Sequence, residues 1–146
     1  MGFLANKQMK EIKDAVGLFM VGNQGKILGV SRKNNPDDMG FPGGKREDDE
    51  TLEEALIREV EEETKIIVVE PRLFYKVFDG EYNFHVFIAK IDYIPGDLLF
   101  EDQNETGVVK WVTFDELKNG TFGSFHVEFE KYVNAVQAEL KNYSFI

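Results

Sequence analysis

The stretch FPGGKREDDETLEEALIREVEEETKI, Phe41 to Ile66, opens on a Gly-Gly pair and runs on into a helix-forming segment loaded with carboxylates. Thr51 followed three residues later by Glu54 has the form of a capping box, which predicts a helix from near Thr51 to about Thr64. Successive helical residues project about 100° apart. On that projection Leu52, Ala55 and Leu56 share a face with Glu59, Glu62 and Glu63, while Glu53, Glu54 and Glu61 point elsewhere.

An ordinary solvated acidic helix keeps its glutamates opposite the apolar stripe. That arrangement accounts for Glu53, Glu54 and Glu61 but not for the other three. Carboxylates at i, i+3 and i+4 lie within about 6 Å of one another and repel unless a cation sits between them. Hard oxygen ligands with no cysteine and no nearby histidine favour Mg²⁺ or Mn²⁺ over zinc. Arg58 is within reach of Glu54, Glu62 or Glu50, where its guanidinium would orient carboxylates as well as neutralise them; its plainer reading is a surface ion pair. Gly43-Gly44 leaves bare backbone that can approach a metal or phosphate closely.

Outward from this stretch, Asp14–Gly22 reads as a buried strand. A turn at Asn23–Lys26 leads to a partner strand over Lys26–Arg32. Lys33–Asp38 reads as a loop, and Met39–Pro42 as a short strand. Beyond the helix, Ile66–Val69 and Leu73–Phe78 are strand-forming runs separated by Pro71. Asp79-Gly80 marks a hairpin turn into Tyr82–Ile91. Ile94–Asn104 reads as a loop, Gly107–Val112 as a last strand and Phe114–Lys118 as one helical turn. Phe125–Asn142 carries an apolar stripe at helical spacing. The pattern is that of one α/β domain over residues 1–146, with no repeat, linker or low-complexity segment.

Composition narrows the partners. With 17 basic and 27 acidic residues the formal charge is −10, which weighs against nonspecific nucleic-acid binding. A phosphate substrate would therefore need divalent cations to bridge it. There is no cysteine, no signal-peptide-like apolar run at the start, and no apolar run near the ~20 residues that span a bilayer. The expectation is a cytoplasmic protein held on no membrane.

Gly44, Glu50, Arg58, Glu59, Val60, Glu62, Glu63 and Ile66 stand in the register of the Nudix hydrolase signature, Gx5Ex7REUxEExGU, in which U is bulky and apolar. The stretch resembles that signature at eight of nine fixed positions, with Lys65 where the family has glycine. Phe41–Lys45 resembles the family's usual approach to the motif, and Trp111-Val112 with Asp115-Glu116-Leu117 its last strand and following turn.

The resemblance implies an α/β/α sandwich with a mixed β-sheet between helices. It implies Mg²⁺-dependent (or Mn²⁺-dependent) cleavage of the pyrophosphate bond in nucleoside diphosphates linked to another group X: nucleoside triphosphates, dinucleoside polyphosphates or nucleotide sugars. Glu59, Glu62 and Glu63 with the Gly44 carbonyl would hold metal, and Glu50 and Arg58 would orient them. Glu105, six residues before Trp111, stands where many members place a further metal-binding or basic glutamate. Glu59, Glu62 and Glu105 are all candidates for the base.

The substrate is less legible. Tyr82 lies 16 residues beyond the motif, near where members that cleave dinucleoside polyphosphates place a stacking tyrosine; it also fits a strand aromatic in the core. The proline that ADP-ribose-specific members often carry about 15 residues after the motif has no counterpart, Pro71 being too early. Phe41 and Arg32 could hold a base and a phosphate, and Lys45 and Arg46 could steer anions, although each is also an ordinary loop or strand-end residue. His85 and His126 lack metal-ligand spacing and read as structural. Many relatives pair, so a homodimer is possible. Two further readings stay open: a catalytically silent nucleotide-binding or sensor module, and an acidic interaction domain whose carboxylates merely bind cations.

Overall fold

The computed structural model describes residues 13–22, 24–96, 102–104 and 107–140. Among the described residues, eight strands form two four-stranded sheets. The first is mixed, in the order β4 (Gly43–Lys45), β1 (Lys13–Leu18), β6 (Tyr82–Tyr93), β5 (Ile67–Phe78). In it β1 runs parallel to β6 and antiparallel to β4. The second sheet is antiparallel, in the order β3 (Asn35–Gly40), β2 (Ile27–Arg32), β8 (Gly107–Val112), β7 (Asp102–Asn104).

Helix α1 (Leu52–Thr64) is followed, after β8, by α2 (Phe114–Lys118), α3 (Gly123–Val127), a 3₁₀ turn (Glu128–Tyr132) and α4 (Val133–Leu140). Two cores result, and β6 separates them by simple alternation. Phe87 and Ala89 join Val16, Leu18, Ala55, Leu56 and Val60 on the α1 side. Val86 and Ile88 face Phe114, Leu117, Phe129 and Val136 on the other. Period-two side-chain alternation thus places helices on both faces, as the family resemblance implies. Among the described residues no helix is long and apolar enough to cross a membrane.

Several elements differ from the sequence reading. The run Asp14–Gly22 is shared between sheets: β1 ends at Leu18, and residues 20–22 then turn back on β2 through Leu28 N–H donating to the Met20 carbonyl at 3.0 Å. Gly25 takes φ 73° in that turn. Asn35–Asp38 is strand, not loop, because β3 lies at a sheet edge where Pro36 costs no ladder bond. Pro71 does not divide β5. It sits in an irregularity where the register with β6 shifts between Val69 and Arg72 and Glu70 takes φ 50°. Asp102–Asn104 is a short strand inside the expected loop. The expected C-terminal helix keeps its apolar face but breaks into α3, the 3₁₀ turn and α4, with Phe129 and Val136 buried. Glu105 lies outside the described residues.

The predicted capping box closes α1. The Thr51 hydroxyl accepts from Glu54 N–H at 3.0 Å, and the Glu54 carboxylate accepts from Thr51 N–H at 2.8 Å. At the other end Lys65 adopts φ 64°, ψ 8°, and its N–H donates to the Glu61 carbonyl at 2.8 Å. Lysine therefore holds the left-handed turn that glycine would hold without a Cβ penalty. Left-handed backbone costs a non-glycine residue about 1–2 kcal/mol, and glycine's looser unfolded chain returns part of that. Lys65→Gly is expected to raise stability by about 0.5–1 kcal/mol in urea unfolding, leaving the helix in place. An unchanged or lowered midpoint would mean the turn carries no strain.

Both histidines are buried in the framework, as expected. His126 stacks at 4.5 Å on Phe41, and burial pushes its pKa down to about 4, so it stays neutral. The His85 Nε2 lies 3.0 Å from an Asp14 carboxylate oxygen.

Candidate active site

Strand β4 runs alongside α1, and the absence of side chains on Gly43 and Gly44 sets the spacing. The Gly43 N–H donates to a Glu63 carboxylate oxygen at 2.7 Å. A Cβ on Gly44 would fall 2.4 Å from the nearer Glu59 oxygen. Glu59 and Glu63 thus extend the stripe begun by Ala55, Leu56 and Val60, and turn inward against bare backbone. Glu62 departs from the projection: its side chain is 59% exposed and lies on the flank of the helix.

Of the partners open to Arg58, the structure takes Glu50 and Glu62, and grips Glu50 the more closely. Its Nε donates to one Glu50 oxygen at 2.6 Å and its second guanidinium nitrogen to the other at 2.9 Å, a bidentate clamp. The remaining nitrogen reaches Glu59 at 2.8 Å and Glu62 at 3.3 Å. A further bond goes to the Lys45 carbonyl at 3.1 Å, which ties α1 to the end of β4. The guanidinium holds the Glu50 carboxyl down at about 2.

The inner carboxylates behave oppositely. Burial pushes Glu59 up, against the pull of Arg58. Burial pushes Glu63 up to about 8; the Gly43 N–H opposes this, and the neighbouring Glu59 and Glu62 add to it. The side-chain donor set, carboxylate oxygens with no sulfur or nitrogen, is that of a hard divalent cation. Among the described residues the side chains do not close a three-carboxylate cage around one point. Glu62, drawn outward to Arg58, is the one that would have to turn inward. By donor chemistry these residues could take such an ion, and Glu59, Glu62, Glu63 and the Gly44 carbonyl are the groups that would hold it.

The other residues singled out from sequence are scattered. Lys45 follows Gly44 in β4 with its ammonium 5.7 Å over the Tyr82 ring; Lys13 approaches the same ring at 5.8 Å. Phe41 packs into the second core, 5.5 Å from Phe19 and 5.2 Å from Phe129. Arg32 pairs with Asp38 at 3.0 Å and lies 5.9 Å over Phe122. The structure therefore brings Gly44, Glu50, Arg58, Glu59, Glu62 and Glu63 together, places Lys45 and Tyr82 side by side, and sets Arg32 and Phe41 in other contacts. Sequence reasoning passed over the Gly43 N–H as a carboxylate donor, and it had no signal for Asp14, whose partners are 32 and 71 residues away.

A model of the NUDIX domain matches residues 11–133. The ADP-ribose pyrophosphatase of Methanocaldococcus jannaschii is 39% identical over 85 residues, covering 54% of this chain and 50% of that protein. The match thus spans about half the length of that curated relative. Among solved structures, an ADP-ribose pyrophosphatase from Streptococcus suis superposes with a TM-score of 0.67 at 17% identity, over 88% of this chain and 92% of that one, a likeness of fold alone. A MutT structure, from work on the Aliivibrio salmonicida and Vibrio cholerae proteins, has a TM-score of 0.61 at 28% identity, over 84% and 96% of the two chains. A family match that runs through both sheets and the carboxylate helix leaves one conclusion: this chain belongs to the Nudix family.

Proposed function

We propose that this protein hydrolyses the pyrophosphate bond of a nucleoside diphosphate linked to another group X, with Mg²⁺ or Mn²⁺ held by Glu59, Glu62, Glu63 and the Gly44 carbonyl. The observation that carries this reading is the inward pair Glu59 and Glu63, two adjoining carboxyls seated on the bare backbone of Gly43-Gly44 and both pushed up by burial. The chemistry such an ion supplies when bound is polarisation of phosphoryl oxygens and acidification of a water. Arg58 holds Glu50 and Glu59 in fixed orientation, so the carboxylates are pre-arranged before substrate arrives. Glu59, Glu62 and Glu105 are the candidate bases. Lys45, one position beyond Gly44 in β4, and Tyr82, at the start of β6, supply a cation and an aromatic face for the phosphates and base of the substrate.

The Methanocaldococcus jannaschii relative named ADP-ribose pyrophosphatase puts ADP-ribose first on a substrate panel, followed by nucleoside triphosphates, dinucleoside polyphosphates and nucleotide sugars. Chromatographic assays for the nucleotide products across that panel with Mg²⁺ or Mn²⁺ are expected to find turnover, since cleavage of ADP-ribose, for one, leaves AMP and ribose 5-phosphate and no inorganic phosphate. Glu62→Gln is expected to lower kcat at least about 100-fold. Silence across the whole panel would sink the hydrolase reading, and full activity in Glu62→Gln would sink the site assignment. Saturable nucleotide binding without turnover would select a silent sensor module instead. Lys65 gives that alternative no support, because it adopts the left-handed turn itself.

A further inference from the structure

The loop Glu47-Asp48-Asp49-Glu50 carries four successive acids and is mostly exposed, yet it must present Glu50 to Arg58 accurately. Its own bonds are local: Glu50 N–H donates to the Glu47 carbonyl at 3.1 Å, and Glu47 N–H to the Glu50 carboxylate at 2.9 Å. What ties it to the protein is Arg46. One Arg46 guanidinium nitrogen donates to the Glu47 carbonyl at 3.1 Å and to the Glu50 carbonyl at 3.0 Å. The Arg46 Nε donates to the Asp14 carboxylate at 3.3 Å, and its backbone N–H to the Asp14 carbonyl at 3.0 Å. The other Asp14 oxygen meets buried His85 at 3.0 Å. Asp14 and His85 stand on β1 and β6, the two inner strands of the mixed sheet, so the anchor lies on strands paired on both sides.

We propose that Asp14, His85 and Arg46 are positioning residues for the carboxylate site. They form one continuous hydrogen-bonded path from the sheet interior, through the backbone of the 47–50 loop, to the Glu50–Arg58–Glu59 clamp. His85 holds Asp14 in one orientation, and Asp14 aims the Arg46 fork. Arg46 then fixes the two carbonyls that set where the Glu50 carboxylate lies and where the first turn of α1 begins. Arginine suits this task because one planar group donates to a carboxylate and to two carbonyls at once, which an ammonium on a single flexible stem does not do. The proposal rests on the hydrolase reading for its kinetic consequence and on geometry alone for the path.

The test uses Arg46→Met, Arg46→Lys and the isosteric Asp14→Asn, each read in two ways. The first is the NMR signal of the Arg58 Nε–H, protected in the bidentate clamp. It is expected to exchange about tenfold faster in all three variants. The second is steady-state kinetics on the best nucleotide of the panel, where kcat is expected to fall about 10- to 50-fold with KM within about twofold. In a Glu50→Gln background Arg46→Met is expected to add little, because both changes release the same clamp. A wild-type Arg58 signal in both Arg46→Met and Asp14→Asn would overturn the proposal. Full additivity with Glu50→Gln, or complete rescue by Arg46→Lys, would also overturn it, since charge or general stability would then suffice. A wild-type protein that turns over no nucleotide defeats the hydrolase reading, while the Arg58 signal still decides the positioning path.

Discussion

Gly44→Ala is expected to yield a folded protein that has lost at least about 100-fold in turnover, whereas Gly43→Ala is expected to lose the fold around β4. Both glycines are crowded, but by different things. A Cβ on Gly44 would meet the Glu59 carboxylate, with oxygens at 2.4 and 2.8 Å. That carboxylate is the end of a flexible side chain, so it yields by rotating away, at small cost to stability. The displacement is about 1 Å or more, enough to spoil a ligand or base set in register with Glu63. A Cβ on Gly43 would instead fall 2.0 Å from the Val16 carbonyl oxygen and 2.7 Å from the Gly17 Cα. Backbone in a paired strand has no rotamer to escape into, so the β1–β4 pairing must separate, at a cost of about 3 kcal/mol. Thermal unfolding and kcat measured on both variants check the contrast. Equal activity in Gly44→Ala and wild type would show that the Glu59 position seen here is not the working one.

Arg58→Met is expected to lower kcat by at least about 100-fold and stability by about 2 kcal/mol at pH 7. Breaking a buried ion pair by removing one partner costs about 3–5 kcal/mol; the side chains here are 25% exposed for Arg58 and 13% for Glu50, so solvent screening reduces that figure. The loss has a defined pH dependence. Glu50 titrates at about 2 in the folded protein, against an ordinary 4.5. Its contribution is complete above about 4.5 and disappears as pH falls through 2, because the protonated acid needs no guanidinium. The stability gap between wild type and Arg58→Met should therefore narrow between pH 5 and pH 2.5 in urea unfolding. A gap that stays constant would assign the loss to the Arg58 methylenes and not to its charge.

Much of the site was legible because helix geometry is local. Thr51 and Glu54 cap α1 as the spacing predicts, and the 100° projection correctly turned Glu59 and Glu63 inward. The same projection misjudged Glu62, since it knows angles but not that Arg58 draws this side chain outward. It also left Arg58 three partners to choose from. The closer grip on Glu50 depends on how the 46–50 loop folds back, a matter of contacts across the sheet. Composition makes Lys33–Asp38 a loop and Pro71 a divider between two strands, yet Pro36 and Pro71 both lie within strands. An edge position and a bulge remove the need for the missing N–H, and neither is visible until strand order is known.

By itself, then, the sequence determined the helix, its cap, the inward glutamates and the hard-oxygen character of the site, all of which follow from spacing over a few residues. Tertiary structure alone decided which backbone seats those glutamates and which carboxylates rise with burial or fall beside Arg58. It also decided that Asp14, His85 and Arg46 stand behind the loop. Such facts depend on desolvation and on meetings between residues as far as 71 positions apart, which no local period encodes.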